Sequence, residues 1–357
     1  MTQICGQEWK SFFQAIKEYK KNPSKFFARP KEPRYSKRAT TTYINRNGFR
    51  VTDGKIHLAK SMGIDPIETN LCEDQPYNEQ AEKVILKQVR LVPLGNCYTI
   101  EIIYDKVKKY KNKDHSKLLD KNRVLGIDVG IDNLATLVSN QQDLYPVLIN
   151  GKAIKSINNQ YNKKSSELKS LKKGKHNRSK SAKRHLRIRD YMHKSSRFII
   201  DYCLTHNIGT IVIGRNKNWK QSIELGKVNN QKFLNIPHSI LIEMIECKGQ
   251  EKGITVITRE ESYTSKASAV DRDPITKNAI FSGKRSKRGL YKPKTGYINA
   301  DVNGALNIIR KELGDGAIPL IDRGCVDQPI KITLGNKIPK DIFIRRMGSN
   351  SQLKLAA

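Results

Sequence analysis

Acidic residues are scarce in this chain. Its 357 residues carry 34 Asp and Glu against 67 Lys and Arg, a formal net charge of +33. Such a field repels itself unless an anion neutralises it. A small acidic metabolite does not require it. A polyanion does, which puts nucleic acid first and an anionic membrane surface second. Long apolar runs are also lacking: no stretch approaches the ~18 residues that span a bilayer. The opening Met1–Trp9 does not have the basic-then-apolar form of a signal peptide. The expected setting is therefore cytoplasmic and nucleoid-associated, with no membrane partner. The six cysteines (Cys5, Cys72, Cys97, Cys203, Cys247, Cys325) are far apart, with no CxxC pair. That argues against a disulfide framework and against a Cys-based zinc site within the chain. Aromatics make up only 7%. The apolar shortfall is filled by Lys, Arg and Asn, not by Pro or Ser repeats, so the composition is that of a folded protein.

What is present falls into segments. Trp9, Phe12, Phe13, Ile16 and Tyr19 recur at three- and four-residue spacing and predict a helix over 7–21. Residues 40–106 read as a β-rich unit. Thr40–Ile44 is β-branched, Asn47-Gly48 and Asp53-Gly54 are turn signals, and 84–92 with 98–104 form a hairpin around Gly95-Asn96. Residues 107–122 are a basic linker. Strands follow at 124–129, 134–138 and 145–149. Residues 152–197 hold sixteen Lys and Arg against Glu167 and Asp190. They read as a helical hairpin, with a turn at 174–179 and a second helix from about 181 to 206. Like charges four apart destabilise a helix, so a one-signed run of this density points to a polyanion. Within it Lys172, Lys173, Lys175, Arg178, Lys183, Arg184, Arg187 and Arg189 are candidate nucleic-acid contacts. Further strands are expected at 208–213 and 254–258, with a helix between them after Pro237. Residues 262–298 read as a basic loop, 300–311 as a helix, and 316–357 as a tail with little pattern.

The order from 124 onward is three strands, helices, strand, helix, strand, loop, helix. It resembles the ribonuclease-H-like arrangement of a mixed sheet flanked by helices, so the fold class expected is α/β. Two-metal phosphodiester hydrolysis is the chemistry often built on it. Mg²⁺ takes oxygen ligands and keeps several waters, so a few carboxylates suffice. Such acids should sit at strand or helix ends, far apart in sequence. Asp128 closes the first strand between Gly126 and Gly130, and Asp301 opens the helix at 300–311. Glu260 and Glu261 follow the fifth strand, and alternation cannot choose between them.

The segment Gly126-Ile127-Asp128-Val129-Gly130-Ile131-Asp132-Asn133-Leu134-Ala135-Thr136 resembles the first RuvC motif of TnpB proteins. These are OrfB-type proteins of insertion sequences, related to type V CRISPR effector nucleases. Tyr263-Thr264-Ser265-Lys266 resembles the Thr-Ser segment of that family, so these four are further candidate nucleic-acid contacts, and Asn299–Ile308 resembles its third RuvC motif. Order and spacing agree over roughly 7–311. The resemblance implies an RNA-guided DNA endonuclease that uses two Mg²⁺ ions, with a guide noncoding RNA and target DNA as partners. It implies a helical recognition segment at 1–39, a wedge domain at 40–106, and a RuvC-like nuclease over 123–261 and 299–315.

Three departures stand out. The family's usual second RuvC acid at the end of the fourth strand is replaced by Gly214, which makes Glu261, or Glu260, the substitute third ligand beside Asp128 and Asp301. The family's four-cysteine zinc ribbon is absent, since no cysteine lies between Cys247 and Cys325. No zinc is expected. In its place 262–298 is expected to contact DNA through Lys284, Arg285, Lys287, Arg288 and Tyr291, with Trp219 and Lys220 as further contacts. The N-terminal segment is short for the family. Gly214 and that short segment keep open an alternative: a catalytically weak or inactive RNA-guided or DNA-binding protein of a transposable element, or a transposition accessory protein.

Overall fold

The computed structural model describes residues 2–34, 40–69, 82–94, 97–108, 119–171, 177–215, 236–318 and 329–335. It divides into two compact units, 1–112 and 113–357. In the first, helix α1 (Thr2–Lys21) forms where the aromatic spacing predicts it. The Trp9, Phe12 and Phe13 rings gather with centroids 5.4–5.7 Å apart. The strands are β1 (Thr42–Asn45), β2 (Phe49–Thr52), β3 (Lys55–Leu58), β4 (Ile67–Glu68), β5 (Glu82–Leu94) and β6 (Cys97–Lys108). Asp53 and Gly54 join β2 to β3 with φ of 50° and 70°. A two-residue hairpin needs that left-handed geometry, and Asp-Gly supplies it. Two three-stranded sheets result, ordered β1-β5-β6 and β2-β3-β4. They share a core of Ile44, Phe49, Ile56, Leu58, Leu86 and Val89.

The second unit is built on β7 (Asp120–Val129), β8 (Asn133–Ser139), β9 (Val147–Asn150), α2 (Lys152–Ser170), α3 (Asn177–Thr205), β10 (Ile208–Gly214), α4 (His238–Glu251) and β11 (Thr255–Arg259). After these come β12 (Lys284–Lys287), β13 (Leu290–Lys292), β14 (Ile298–Asn299), α5 (Ala300–Leu313) and β15 (Ile330–Ile332). The main sheet is mixed, in the order β11-β10-β7-β8-β9-β15. β10 runs parallel to both β7 and β11, β7-β8-β9 is an antiparallel meander, and β15 lies parallel to β9. The fold is α/β, as the sequence predicts.

Side chains alternate across this sheet because a strand repeats every two residues. Leu125, Ile127 and Val129 of β7 join a core with α3 (Met192, Phe198, Ile199) and α4 (Leu241, Ile242, Ile245). On the other face Val124 of β7 and Val212 of β10 pack on Val302, Ala305, Leu306, Ile308 and Ile309 of α5. Fully burying one such side chain contributes about 1.5–3 kcal/mol. α5 buries ten of its residues, so packing, not intrinsic helix propensity, holds it against the sheet.

Three expectations need correction. The stretch 262–298 is not only loop: β12, β13 and β14 form a small antiparallel sheet. Its strands are two to four residues long, and every residue of β12 is exposed, so no apolar alternation marks it. α3 begins at Asn177, inside the expected turn. The C-terminal segment supplies β15, a three-residue edge strand too short to leave a pattern.

Candidate active site

Alternation assigns Asp128 to the face of β7 that carries Val124 and meets α5. One residue beyond the Ile213–Ile127 pair of the β10–β7 register, Gly214 ends the neighbouring strand. A Cβ placed on Gly214 would lie 2.5 Å from Ile308 Cδ1 and 2.8 Å from Glu261 Oε2. The missing side chain is therefore the space that Glu261 fills from the turn after the adjacent strand β11. A Cβ on Gly304 of α5 would lie 2.7 Å from Asp128 Oδ2, so the helix backbone closes directly over that carboxylate. Glu260 points elsewhere: it is mostly exposed, and Lys311 Nζ stands 3.6 Å away. Of the two glutamates, Glu261 faces inward and Glu260 outward.

Asp301 completes the cluster from the first turn of α5. Asn299 caps that helix, its side chain accepting the Asp301 and Val302 N–H groups. Asn133 Nδ2 donates to Asp301 Oδ2 at 2.7 Å, and Arg285 Nη2 approaches Asp301 Oδ1 at 3.3 Å. Burial is the largest force on Asp128, and the carboxylates of Glu261 and Asp301 add to it. Together they raise its carboxyl well above the ordinary range, with Arg285 opposing. Burial pushes Glu261 up to about 7, against the pull of Lys311. Asp128 is thus the carboxylate that feels both others. Carboxyls raised in this way mark candidate functional sites.

Behind the cluster lie residues of the Thr-Ser segment and of α5, with Arg310, Asp271, Asp273 and Ser282 that the sequence did not single out. Thr264 donates its N–H and hydroxyl to the Glu261 carbonyl, at 3.2 and 2.7 Å. Between them Tyr263 adopts φ 67°, a left-handed conformation uncommon for a bulky residue. Asn307 Nδ2 of α5 donates to the Thr264 and Ala267 carbonyls, and Asn303 both donates to Ala267 O and accepts from Ala269 N–H. Arg310 donates to Asn307 Oδ1 and to the Ser268 and Asp273 carbonyls. One polar stripe of α5 therefore clamps 264–273 while the helix N-terminus bears Asp301. The next turn of chain is held by Ser268, Asp271, Asp273 and Ser282, which hydrogen-bond one another. Burial raises the Asp271 carboxyl, yet the Lys294 N–H and the Ser268 and Ser282 hydroxyls hold it below its ordinary value.

The candidate nucleic-acid contacts divide into several kinds. Lys183, Arg187, Ser265, Lys266, Lys284, Arg285, Lys287 and Arg288 are exposed. Arg285 reaches Asp301, and Arg288 ion-pairs with Asp132, as does Lys155. Arg189 is half-buried. Arg184 is engaged inside the hairpin, bonded to Asn158 Oδ1 at 2.6 Å and stacked 5.1 Å from the Tyr161 ring. Thr264 is buried in the turn described above. Tyr291 is a correction: it is 1% exposed in the core beneath α5, its hydroxyl donating to Lys266 O, and so offers no surface. Lys172, Lys173, Lys175, Trp219, Lys220 and the Arg178 side chain lie outside the described residues.

No group of three or more His, Cys, Asp or Glu side chains surrounds one cation position among the described residues. Asp128, with Glu261 and Asp301 both acting on it, is the nearest to a donor set among the described residues. All three acids offer oxygen, as hard cations require. Asn133 Oδ1 lies buried beside Asp301 and has no partner among the described residues, an acceptor that suits a hydrated ion. The residues fit Mg²⁺.

Residues 107–220 match the family model OrfB_IS605, described as "Probable transposase". Residues 238–308 match the Cas12f1-like TNB domain. The first segment contains Asp128, the second Glu261 and Asp301. The CRISPR-associated endodeoxyribonuclease Cas12f1 of Sulfoacidibacillus thermotolerans is 28% identical over 248 residues, which is 62% of this chain and 53% of that protein. These matches support a relationship to the TnpB-like (OrfB-type) proteins and, through them, to type V effectors. It spans about half the length of the curated relative it matches. Among solved structures, a Cas12f1–sgRNA–target DNA complex aligns with 83% of this chain and 75% of that one, at TM-score 0.41 and 14% identity. A CRISPR-Cas12f ternary complex aligns with 62% and 45%, at TM-score 0.42 and 17% identity. No helix among the described residues is long and apolar enough to cross a membrane.

Proposed function

We propose that this TnpB-like chain is an RNA-guided DNA endonuclease of an insertion sequence, acting through a RuvC-like site on a ribonuclease-H-like sheet. One observation carries the reading. Asp128, Glu261 and Asp301 come from three distant parts of the sequence, and the last two both act on the Asp128 carboxyl, in a chain of net charge +33. On this reading residues 1–39 and 40–106 serve guide and target recognition, and guide RNA and target DNA are the partners.

Asp128, Glu261 and Asp301 would hold two Mg²⁺ ions. Bound there, the ions lower the pKa of a water nucleophile and offset charge on the leaving oxygen. The chain's own residues do the rest. Gly214 and Gly304 leave room for the carboxylates, and α5 keeps them in register. Arg285 and Arg288, exposed on the β12–β13 hairpin, exchange Asp301 and Asp132 for phosphate oxygens when a strand enters. Lys266, Lys284 and Lys287 hold the flanking backbone. Glu261 over Gly214 supports cutting over the alternative of binding alone, since the third acid is supplied from the turn after β11.

The test is cleavage of a matched DNA by the protein purified with its guide RNA, with Mg²⁺ present. Asp128→Asn, Glu261→Gln and Asp301→Asn are each expected to reduce cleavage at least 100-fold while target binding persists. Cleavage unaffected by Asp128→Asn would sink the assignment.

A further inference from the structure

Asp301 is held by two donors of different character. Arg285 Nη2 approaches Oδ1 at 3.3 Å from an exposed side chain on a short surface strand. Such a contact exchanges readily with solvent, ions or phosphate. Asn133 Nδ2 donates to Oδ2 at 2.7 Å and comes from the first residue of β8, inside the main sheet. Its backbone is fixed on all sides. Asn133 pairs with Asn150 of β9, Gly130 N–H donates to Leu134 O, and Gly151 N–H donates to Asp132 O. His238 Nε2 lies 2.9 Å from Gly130 O and braces the same turn.

The amide can face only one way. Turned over, Oδ1 would meet the Asp301 carboxylate, acceptor against acceptor. In the orientation adopted, Oδ1 is buried with no partner among the described residues. A buried acceptor left unpaired costs about 1–3 kcal/mol. Ala at this position would avoid that cost and lose only one hydrogen bond, so stability alone does not account for Asn133. A hydrated divalent cation on Asp301 accounts for both ends of the amide. The N–H fixes the carboxylate, and the carbonyl receives a hydrogen from water that the ion retains. Outer partners of this kind commonly govern metal affinity.

We infer that Asn133 is a positioning residue for cation binding at Asp301. The inference rests on the metal reading above. It concerns Asn133 alone, and it is tested without cleavage. Mn²⁺ binding to the full-length, nucleic-acid-free chain is measured by the EPR signal of free Mn²⁺, and unfolding of each variant is followed in chelator. The parent is expected to bind Mn²⁺ and Asp301→Asn to lose it. Asn133→Ala is expected to bind about 10–100-fold more weakly, with a melting temperature in chelator at or above the parent's. Asn133→Ser keeps a donor of shorter reach and is expected to fall between, and it decides the matter if the alanine variant does not fold. Asn133 variants that bind like the parent while Asp301→Asn does not would overturn this inference and leave the metal reading standing. A parent that binds no Mn²⁺ overturns the metal reading and this inference with it.

Discussion

Glu261 carries its carboxyl at about 7, raised chiefly by burial. An acid whose folded value is raised stabilises the fold below its unfolded value, near 4.5, and that stability is lost as pH climbs through the folded value. In chelator, the melting temperature of the parent relative to Glu261→Gln is therefore expected to fall between pH 4.5 and 7 and to level off above. Differential scanning fluorimetry across that range checks it; equal pH profiles for the two proteins would refute it. Glu260 supplies the contrast, since it lies at the surface with Lys311 and its carboxyl is held low by Ser262 and Lys311. Glu260→Gln is expected to leave cleavage within about 2-fold of the parent, as surface changes away from a site are tolerated. Asp128 and Asp301 were legible in the sequence because each stands at the end of a strongly patterned element. The choice between the glutamates was not. Two residues past a strand end, the period of two no longer applies, and the turn at Tyr263, with its unusual φ, decides which one points inward. Tyr291 misled for a related reason: charge around an aromatic describes the neighbours, not the side of the strand on which the ring lies.

At the scale of elements, α5 organises the site. Asp301, Gly304, Ile308 and Lys311 lie along one side of it and meet, in turn, the Asn133 amide, the Asp128 carboxylate, the Gly214 backbone and Ser262. Gly304→Ala brings a methyl to 2.7 Å from Asp128 Oδ2, closer than carbon and oxygen tolerate. It is expected to cut cleavage by at least 10-fold while shifting stability by about 1–3 kcal/mol, in the range for overpacking. Ile309→Ala, on the sheet-facing side and fully buried, is expected to cost about 2–5 kcal/mol. Urea titration and the cleavage assay together separate the two effects. Long elements such as β5, β6, α3 and α5 were readable because many apolar positions repeat with one period. The small sheet of β12, β13 and β14 and the edge strand β15 were not. They are two to four residues long and owe their form to what they pack against.

At the scale of the molecule, the proposed function makes the +33 charge first of all a binding term. If 6–10 phosphates are contacted, affinity for nucleic acid is expected to drop about 10³–10⁵-fold between 50 and 200 mM salt. Replacing Lys284, Lys287 and Arg288 together should flatten that slope without altering which target is cut; filter binding over a salt series reads it out. Composition made this partner class legible from the start, although it could not say which cations are free. Arg184 is spent inside the hairpin and Arg288 on Asp132. The bond between Asn133 and Asp301 spans 168 residues of chain. During synthesis the first acid leaves the ribosome long before the helix that brings the last one and backs the other two. A prematurely terminated product ending before α5 would carry the basic surface without an assembled cutting centre. On the proposed function, placing the final acid so late makes cutting a property of the completed domain alone.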